Sequence, residues 1–511
     1  MSPNLQRTIV TGSIMLATIM QTLDSTIANV ALPHMQGSFS ATQEQIAWVL
    51  TSYIVAAAVF TPTTGFLATR LGRRNLLAGT VIGFTVASML CGAATSLSEI
   101  VLFRLLQGMF GAALVPLSQA ILLDTYPPEK HGAAMAVWGM GVMVGPILGP
   151  ALGGWLTDAY SWRWVFYINV PFGLLALAGI FAASSEAPVD KSRRFDWQGF
   201  AYLGLSIAGL QIMLDRGQVQ DWFSSTEIIV EGGIAAIAFF LFIAHSMTTK
   251  NPFITLHLFR DRNLVIGLVL ITVVGVVLFA TMALLPPYLE TLMGYPVVTT
   301  GLVLAPRGIG TMVAMFLVGR LVNRIDIRLI MAFGMFLTIY SLWEMSQFNL
   351  YISEGMIVTT GIIQGFGLGF IFVPLTTATF ATLSPELRTE GTSLYSLMRN
   401  IGSSVGISIT QALISRYTQI NHEILSRNVS ELNPLLRPEH APPGWNMQTM
   451  QGLALAEGEV TRQAASIAYL NDFKLMMYMT LLALPLLVLL RPARRKGPES
   501  PAEAASAMHM D

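Results

Sequence analysis

Long apolar stretches recur along the chain and are separated by short polar segments. Nine of them contain no charged residue, at 45–69, 75–98, 105–123, 132–157, 164–185, 197–214, 232–249, 263–289 and 355–385. Five others are weaker or interrupted by a charge, at 8–32, 298–319, 329–347, 391–414 and 473–490. Because lipid offers the backbone no hydrogen-bond partner, a bilayer core of about 30 Å is crossed by a helix of roughly 20 apolar residues. The pattern therefore predicts an all-α membrane protein with fourteen transmembrane helices.

The basic residues of the loops test this count, because cytoplasmic loops collect lysine and arginine. With the N-terminus inside, the inner segments hold nineteen lysines and arginines, whereas the short outer loops hold only Arg163 and Arg216. A missing or an additional helix would destroy this alternation. Fourteen helices are therefore favoured, and both termini are predicted to be cytoplasmic.

Composition narrows the classes of function. Of the 511 residues 53% are hydrophobic and 11% are charged, and the net charge is zero, so no basic surface for nucleic acid is indicated. The single cysteine, Cys91, excludes a disulfide framework. The seven histidines lack the spacing of a metal site, and the chain has no phosphate-binding loop. We therefore expect no enzyme, no metal and no other cofactor.

Similar segments recur at a nearly constant offset, which indicates duplicated halves. Gln107 followed by Gly108 recurs 257 positions later as Gln364 followed by Gly365. Duplicated helical halves around a midplane cavity are typical of transporters. Two six-helix bundles that flank an inserted helix pair explain the number fourteen. The predicted divisions are the first bundle at 1–190, the inserted pair with its linkers at 191–262, the second bundle at 263–490 with an outer loop at 415–470, and a cytoplasmic tail at 491–511.

Six charged residues interrupt the apolar spans and are candidates for function: Asp24, Arg104, Glu290, Arg307, Glu344 and Arg399. A charge at the centre of a membrane helix costs about 2.5–3.5 kcal/mol on insertion scales, so such residues usually face a cavity or a partner. Glu290 and Glu344 lie near helix ends, and a simple reach to the membrane surface is an open alternative for both. The candidates for contact with substrate or for gating are Gln21, Gln107, Glu290, Arg307 and Arg399.

Asp24 is the candidate for binding a proton. It lies about sixteen residues into the first helix, with Gln21 on the same face one turn earlier. Because burial favours a neutral carboxyl and a nearby cation favours an ionised one, a carboxyl in a cavity can gain and lose a proton during a cycle. Arg104 in the fourth helix, on one face with Gln107, is a cation that can promote this release. A purely structural carboxylate and an arginine that bonds loop carbonyls are the alternatives, and which arginine Asp24 faces stays open.

The fifth helix carries glycines at four-residue steps with two prolines between them: Gly141, Gly145, Pro146, Gly149, Pro150 and Gly153. The glycines form a groove without side chains, and the prolines remove backbone hydrogen bonds and favour a kink. Such a surface suits either tight static packing or packing that slides when two bundles rock.

Four segments carry a family resemblance: LDSTIANVALP at 23–33, RLLQG at 104–108, GPILGPALGG at 145–154 and WRWVFYINVPFG at 162–173. They resemble motifs of the major facilitator superfamily, in particular its fourteen-helix drug:proton antiporter branch of the EmrB/QacA type. The resemblance spans essentially the whole chain. It implies the major facilitator fold and proton coupling through Asp24. It also implies export rather than import, because the motif at 145–154 is characteristic of exporters.

The loop GFLATRLGRR at 65–74 resembles the gating loop of the superfamily. Its candidate gating residues are Gly65, Arg70, Gly72 and Arg73. Thr69 stands where the superfamily usually has an aspartate, which argues against a charge latch through that position.

The resemblance implies a proton-driven exporter of hydrophobic or amphipathic toxic compounds that works by alternating access in a bacterial inner membrane. Segments 210–217 and 221–225 look most like members of the branch that work with a periplasmic adaptor protein and an outer-membrane channel, so both are expected partners. The outer loop would then be a docking surface or, equally, a lid over the cavity. Two alternatives remain: export of fatty acids, a siderophore or another metabolite, and a membrane receptor that transports nothing.

Overall fold

The computed structural model describes residues 2–183, 189, 194–322, 324–427, 429, 433 and 449–491. Within these ranges the chain forms long helices and no β-strand. Ten helices are long and apolar enough to cross a membrane, and a bent helix pair makes up to eleven. These observations confirm the predicted all-α membrane class.

Six helical segments form the first half, and a pair follows them. The first six are α1 (Pro3–Phe39), α2 (Gln43–Phe60 and Thr63–Leu71, bent by 60° between its parts), α3 (Arg73–Ala93), α4 (Leu97–Thr125), α5 (His131–Ala159) and α6 (Trp164–Tyr167 and Asn169–Ala183). The inserted pair is α7 (Trp197–Arg216) and α8 (Thr226–Thr248).

Six further segments form the second half. They are α9 (Arg262–Pro287, continued by a π-helical turn at Tyr288–Leu292), α10 (Val297–Leu321), α11 (Ile327–Met345), α12 (Glu354–Phe380), α13 (Arg388–Ser426) and α14 (Met450–Ala483 and Leu486–Leu489). The described residues therefore hold fourteen helical segments, close to the predicted positions except that α13 ends later and α14 begins earlier than predicted. The more polar α1, α7 and α13 are not among the helices that qualify as spans on length and composition.

Polar caps explain where several helices begin. The hydroxyl of Ser96 accepts a hydrogen bond from the Glu99 N–H at 3.3 Å at the start of α4. The Asp261 carboxylate accepts one from the Leu264 N–H at 3.0 Å at the start of α9. Each cap satisfies an N–H group that has no partner within its own helix.

The same helix pairs pack in both halves. In the first half α1 packs on α5, α2 on α4 and α3 on α4, and in the second half α9 packs on α13, α10 on α12 and α11 on α12. The halves meet where α5 packs on α10 and where α2 and α4 pack on α13. We call the basic end the end of the bundle formed by the α2–α3, α4–α5, α8–α9, α10–α11 and α12–α13 connections.

The inserted pair lies at the side of the two halves. Helix α7 packs on both α2 and α13, and α8 packs on α7. Thr51 of α2 donates a hydrogen bond to Asp215 of α7, and Ser408 of α13 donates one to the Leu214 carbonyl at 2.7 Å. One inserted helix therefore bridges the halves.

The segment 415–470, predicted as a polar outer loop, is largely helical where the structure describes it. Helix α13 continues to Ser426, and α14 already begins at Met450. The two helices touch, because His422 Nε2 lies 2.7 Å from Glu457 Oε1. Alanine-rich sequence after residue 450 favours helix, so the polarity of this region does not end the helices. Residues 434–448 and 492–511, which include nearly all of the predicted tail, lie outside the described residues.

Candidate functional site

Asp24 lies fully buried at the meeting point of α1, α4 and α6. Its Oδ2 accepts a hydrogen bond from Arg104 Nη1 at 2.7 Å, and its Oδ1 accepts from Gln107 Nε2 at 2.8 Å and from Asn169 Nδ2 at 2.9 Å. Sequence reasoning placed Asp24, Arg104 and Gln107 near one another in function, and the structure brings all three together. The arginine that Asp24 faces is Arg104.

Arg104 is held as firmly as its partner. Only 1% of the residue is exposed, and its Nε donates to the Val49 carbonyl at 3.1 Å while its Nη1 also donates to Gln107 Oε1 at 2.7 Å. The guanidinium lies 4.1 Å from the ring centroid of Tyr53 and 5.7 Å from that of Phe166. Hydrogen bonds and ring faces of this kind stabilise a buried ion pair that would otherwise be costly.

Two residues of this cluster were not singled out from the sequence. Asn169, the first residue of the long part of α6, also donates from Nδ2 to Ser88 Oγ at 2.8 Å. Tyr53 accepts a hydrogen bond from Gln21 Nε2 at 3.2 Å, which connects Gln21 to the cluster through the phenol. Both are single polar groups in apolar stretches, and this is the signal that could have found them.

The glycine ladder of α5 faces α1, the helix that carries Asp24. A Cβ added to Gly145 would lie 2.8 Å from the Leu23 backbone nitrogen, and one added to Gly153 would lie 2.8 Å from the Ile27 side chain. Side chains of α1 also fill the space at the two other positions, Gly141 and Gly149. The hydroxyl of Thr26 donates to the Gly145 carbonyl at 3.0 Å.

The prolines between these glycines lie inside the continuous helix α5. Pro146 and Pro150 provide no N–H, so two carbonyls of the preceding turn lack their usual helical donor. The face of α5 that approaches α1 therefore has no bulky side chains at the glycines, and the helix has fewer backbone hydrogen bonds at the prolines. It allows α1 to lie close to α5 without interlocking side chains.

The second half has a polar contact at the positions that correspond to Asp24 and Gln107, but it lacks the charged residues. Gln364 Nε2 donates to Thr281 Oγ1 at 3.3 Å, and these residues stand 257 positions after Gln107 and Asp24. Gly361 stands at the position that corresponds to Arg104. The ion pair is therefore a property of the first half.

The remaining charged candidates lie apart from this cluster. Arg307 is 8% exposed and donates from Nη2 to the Leu278 carbonyl at 3.4 Å, and Arg399 has a buried Nε with no hydrogen-bond partner among the described residues. Glu344 accepts hydrogen bonds from Tyr340 and Thr360, both at 2.9 Å. Glu290 lies half-buried in the π-helical turn of α9.

At the basic end a network of ionic and polar contacts joins the two halves. Asp124 at the end of α4 forms ion pairs with Arg73 of the predicted gating loop and with Arg388 of α13, the latter at 2.7 Å. Arg73 also donates to Thr389 Oγ1 and to the Pro385 carbonyl, both at 2.9 Å. The halves are therefore in contact at this end.

The other members of the predicted gating loop have different roles. Gly65 lies so close to Glu390 of α13 that an added Cβ would be 3.0 Å from its Cα, and Gly72 has a φ of 80° that favours glycine. Arg70 is exposed and lies 5.9 Å from the Phe66 ring centroid. Thr69 donates to the Gly65 carbonyl of its own helix, so the acid at this end comes from Asp124 instead. Sequence reasoning missed Asp124, Arg388 and Glu390.

Outside the spans, the same end holds Glu386. Its pKa is lowered by a hydrogen bond from its own backbone N–H and by one from the Ser384 hydroxyl, with smaller contributions from Arg388 and Arg73. The side chain is therefore a further negative charge beside the arginines that bridge the halves.

Replacing Asp124 with Asn removes the acceptor that two arginines share. Because the pairs are partly exposed, each contributes about 0.2–1 kcal/mol, and a loss of about 1 kcal/mol increases the opening of this end about fivefold. A cysteine placed at the buried Thr392, in a Cys91→Ser background, reports the opening through its rate of maleimide labelling. An Arg70→Ala variant is the control, and equal labelling rates in both variants would contradict the prediction.

Two duplicated helical halves, packed around a buried charge cluster and joined by ionic contacts at one end, define the class of multi-pass membrane transporters. The sequence model of the Major Facilitator Superfamily matches residues 14–407. The chain belongs to this superfamily, and it is a transporter rather than an enzyme.

Individual relatives place it in the EmrB type. It is 37% identical to the multidrug export protein EmrB of Escherichia coli K12, over 90% of this chain and 93% of that protein. It is 34% identical to the fatty acid resistance protein FarB of Neisseria gonorrhoeae, over 96% and 97%. The human organic anion transporter MFSD10 (TETRAN) shares the fold with a TM-score of 0.58 at 13% identity, over 94% of this chain and all of that one. The family predicted from the sequence motifs is confirmed.

Proposed function

We propose that this protein is a proton-coupled antiporter that exports hydrophobic or amphipathic toxic compounds by alternating access. The observation that carries the proposal is Asp24, an acid fully buried against Arg104 and held by amides from two other helices. A relative 37% identical over nine tenths of the chain is a multidrug export protein, which supports the choice of cargo.

A proton on Asp24 changes the forces within the cluster. The neutral acid no longer attracts Arg104, and hydrogen bonds to a charged acceptor weaken when the charge is lost. Helix α1 is then free to shift along the glycine groove of α5, which it touches from Met15 to Val30. Return of the ion pair restores the first arrangement, so proton binding and release bias two positions of α1.

The contacts of Arg73 and Arg388 with Asp124 close the basic end in this arrangement. We infer from the positive-inside rule that the basic end and both termini face the cytoplasm. The multidrug export protein of Escherichia coli, 37% identical, supports a bacterial inner membrane. Asp24 would load a proton from the outer side and release it inside. One proton that crosses about 100 mV supplies roughly 2.3 kcal/mol, enough for a substrate gradient of about fiftyfold.

Reconstitution of the full chain in liposomes tests the function. The probes are ethidium, chloramphenicol and laurate, which are a lipophilic cation, a neutral compound and a carboxylate. With an acid lumen, protons that leave should drive uptake of a transported probe, and nigericin should abolish that uptake. Uptake of all three probes that does not depend on the pH gradient would refute proton-coupled export.

A second candidate cargo is a fatty acid or another amphipathic carboxylate. Arg307 and Arg399 are cations within the spans that form no ion pair with a carboxylate among the described residues, and a relative 34% identical is a fatty acid resistance protein. An organic anion would supply the missing charge. Driven uptake of laurate but not of its methyl ester would favour this cargo.

We also propose that the paired extensions of α13 and α14 bind a periplasmic adaptor, which would join the transporter to an outer-membrane channel. The 40 residues from Met450 to Leu489 span about 60 Å, roughly twice a bilayer core, so the extension projects beyond the lipid. Leu453 and Leu455 on it are 44% and 48% exposed.

Serine at Leu453 and Leu455 should reduce co-purification of a co-expressed periplasmic adaptor and leave uptake by liposomes unchanged, because this surface projects beyond the lipid. The matched control replaces the exposed apolar Leu205 of α7 with serine. If the extension is only a lid, the two serines alter uptake and leave the adaptor bound.

A further inference from the structure

Asp472 of α14 is a second acid buried in the helical bundle, outside the cluster already described. The residue is 1% exposed, and neither carboxylate oxygen has a hydrogen-bond partner among the described residues. Asp24, by contrast, accepts three hydrogen bonds, one of them from an arginine. The contacts of Asp24 therefore favour a charged carboxylate, whereas Asp472 has no such contacts and its surroundings favour the neutral acid.

Two contacts on either side of Asp472 determine what it faces. Three residues before it, the Tyr469 ring lies 5.5 Å from the ring of Tyr288, and four residues after it, the Met476 sulfur lies 3.8 Å from Thr281 Oγ1. Residues three and four apart lie on one face of a helix. Asp472 therefore faces α9 between Thr281 and Tyr288.

The part of α9 between these two contacts is apolar at its buried positions. Leu284 and Leu285 are each 2% exposed, and Phe473 beside Asp472 is fully buried. An ionised carboxylate without a partner is very costly in such surroundings, whereas the neutral acid costs only a few kcal/mol. These surroundings therefore favour the neutral, protonated acid.

The charged and titratable side chains near this level, on α14 and on the packed helices α9, α11 and α13, include Tyr288, Glu290, Tyr340, Glu344, Arg416, Tyr417, Tyr469 and Lys474. None of them donates a hydrogen bond to Asp472 or forms an ion pair with it in the described part of the chain. No cation of this set therefore compensates a negative charge at the site.

The facing end of α9 is suited to movement. Pro286 and Pro287 provide no N–H, so the carbonyls of Met282 and Ala283 lack their helical donors. The chain then continues as a π-helical turn, a feature often found at functional sites. A shift of this end would admit water to Asp472 and allow the proton to leave.

Asp472 also lies far from the basic end. Eighteen residues, or about 27 Å of helix, separate it from Leu490, which the Arg328 side chain of the basic end contacts. We propose that Asp472 is a second proton-binding site of the transporter, which exchanges its proton with the outer side when the end of α9 moves. This inference rests on the proposed proton-coupled antiport and adds a second proton to each cycle.

The number of protons per substrate tests the proposal. Full-length protein in liposomes, with the membrane potential clamped at zero, accumulates whichever of ethidium, chloramphenicol or laurate it transports until the gradients balance. Each proton exchanged contributes a factor of about ten to the final gradient per unit of pH difference. At a pH difference of one unit we expect the substrate to accumulate about a hundredfold with the natural chain and about tenfold with Asp472→Asn.

The control is Glu344→Gln, which removes a half-buried acid of the same half that has its own hydrogen-bond donors, and it should retain the hundredfold gradient. If the natural chain shows no dependence on pH difference, the proposed function fails. If the natural chain does and Asp472→Asn keeps the same dependence, only the second proton site fails. A weaker affinity for ethidium alone, with an unchanged dependence, would make Asp472 a site for cationic substrate and overturn the proposal.

A measurement on the natural chain covers the case in which Asp472→Asn does not fold. Dicyclohexylcarbodiimide adds to protonated carboxyls in apolar surroundings, and mass spectrometry locates the adduct. We expect the adduct on Asp472 at neutral pH and none on Asp24, which is paired with Arg104. An unmodified Asp472 under conditions that label another buried acid would overturn the proposal.

Discussion

Asp24→Asn is expected to abolish uptake driven by a pH gradient, down to the level of liposomes without protein. Asparagine has the same size and can still accept a hydrogen bond from Arg104, but it cannot bind and release a proton. Substrate should still bind, and exchange of labelled for unlabelled substrate in the absence of a pH gradient should continue. The measurement compares driven uptake and exchange in the same preparation.

The control for this variant is Asp215→Asn in the inserted pair. Asp215 is also an acid within a helical span, and its partner is the neutral hydroxyl of Thr51 rather than a cation. It should keep driven uptake, because its protonation breaks no ion pair among the described residues. Undiminished driven uptake in Asp24→Asn would end the assignment of Asp24 as the proton carrier.

A double variant separates the role in proton binding from a structural role. Asp24→Asn alone leaves the buried Arg104 without a counter-charge, which typically costs 3–5 kcal/mol. Adding Arg104→Gln removes that charge and should recover much of the thermal stability. If Asp24 were only structural, driven uptake would return together with stability. We expect stability to return without uptake.

Sequence reasoning could single out residues that carry a signal by themselves. Asp24 and Arg104 are charges in apolar stretches, and their cost in lipid marks them before any packing is known. Arg104 was the favoured cation, but its pairing with Asp24 could not be derived, because α1 and α4 also present other faces and Arg307 and Arg399 are arginines of other spans. A neutral partner such as Asn169 costs less in lipid than a charge, so its signal as a single polar group in an apolar stretch is weaker.

Contacts between the halves were the least accessible to sequence reasoning. Asp124 and Arg388 are 264 positions apart and meet at 2.7 Å only because α4 and α13 pack together at the basic end. Asp472 was missed for a different reason. Together with Lys474 it makes the start of the last apolar stretch look polar, so the predicted span began one residue after it, whereas α14 begins at Met450.

Composition predicted the end of one helix wrongly, because α14 extends well beyond its predicted start. The spacing of small residues was more useful for the face of a helix, as α5 shows where it approaches α1. A polar stretch rich in alanine continues a helix instead of ending it, and the four glycines lie on the face of α5 that another helix approaches. The glycine spacing did not tell which helix lies against that face. The structure places α1 there, at the level of Asp24, and this leads to the strongest expectation for a neutral substitution.

Gly145→Ala is expected to reduce driven uptake at least tenfold and to lower the melting temperature, although it adds a single methyl group. The new Cβ would lie 2.8 Å from the Leu23 nitrogen and even closer to the Thr22 carbonyl group, and backbone atoms cannot rotate away as a side chain can. Overpacking of this kind costs about 1–3 kcal/mol. The clash also displaces α1 beside Asp24, whose 2.7 Å contact with Arg104 depends on the position of that helix.

Gly154→Ala on the same helix is the matched control. Its added Cβ has one neighbour, Val30 Cγ1 at 4.0 Å. Uptake should therefore stay within about twofold of that of the natural chain. Stability should be unchanged or slightly higher, because alanine favours the helix more than glycine does. Uptake and stability of Gly145→Ala that match those of Gly154→Ala and of the natural chain would show that α5 tolerates a side chain in its groove. In that case α1 does not depend on the groove for its position, and the coupling of Asp24 to the rocking of the halves must run through α4 and α6 instead.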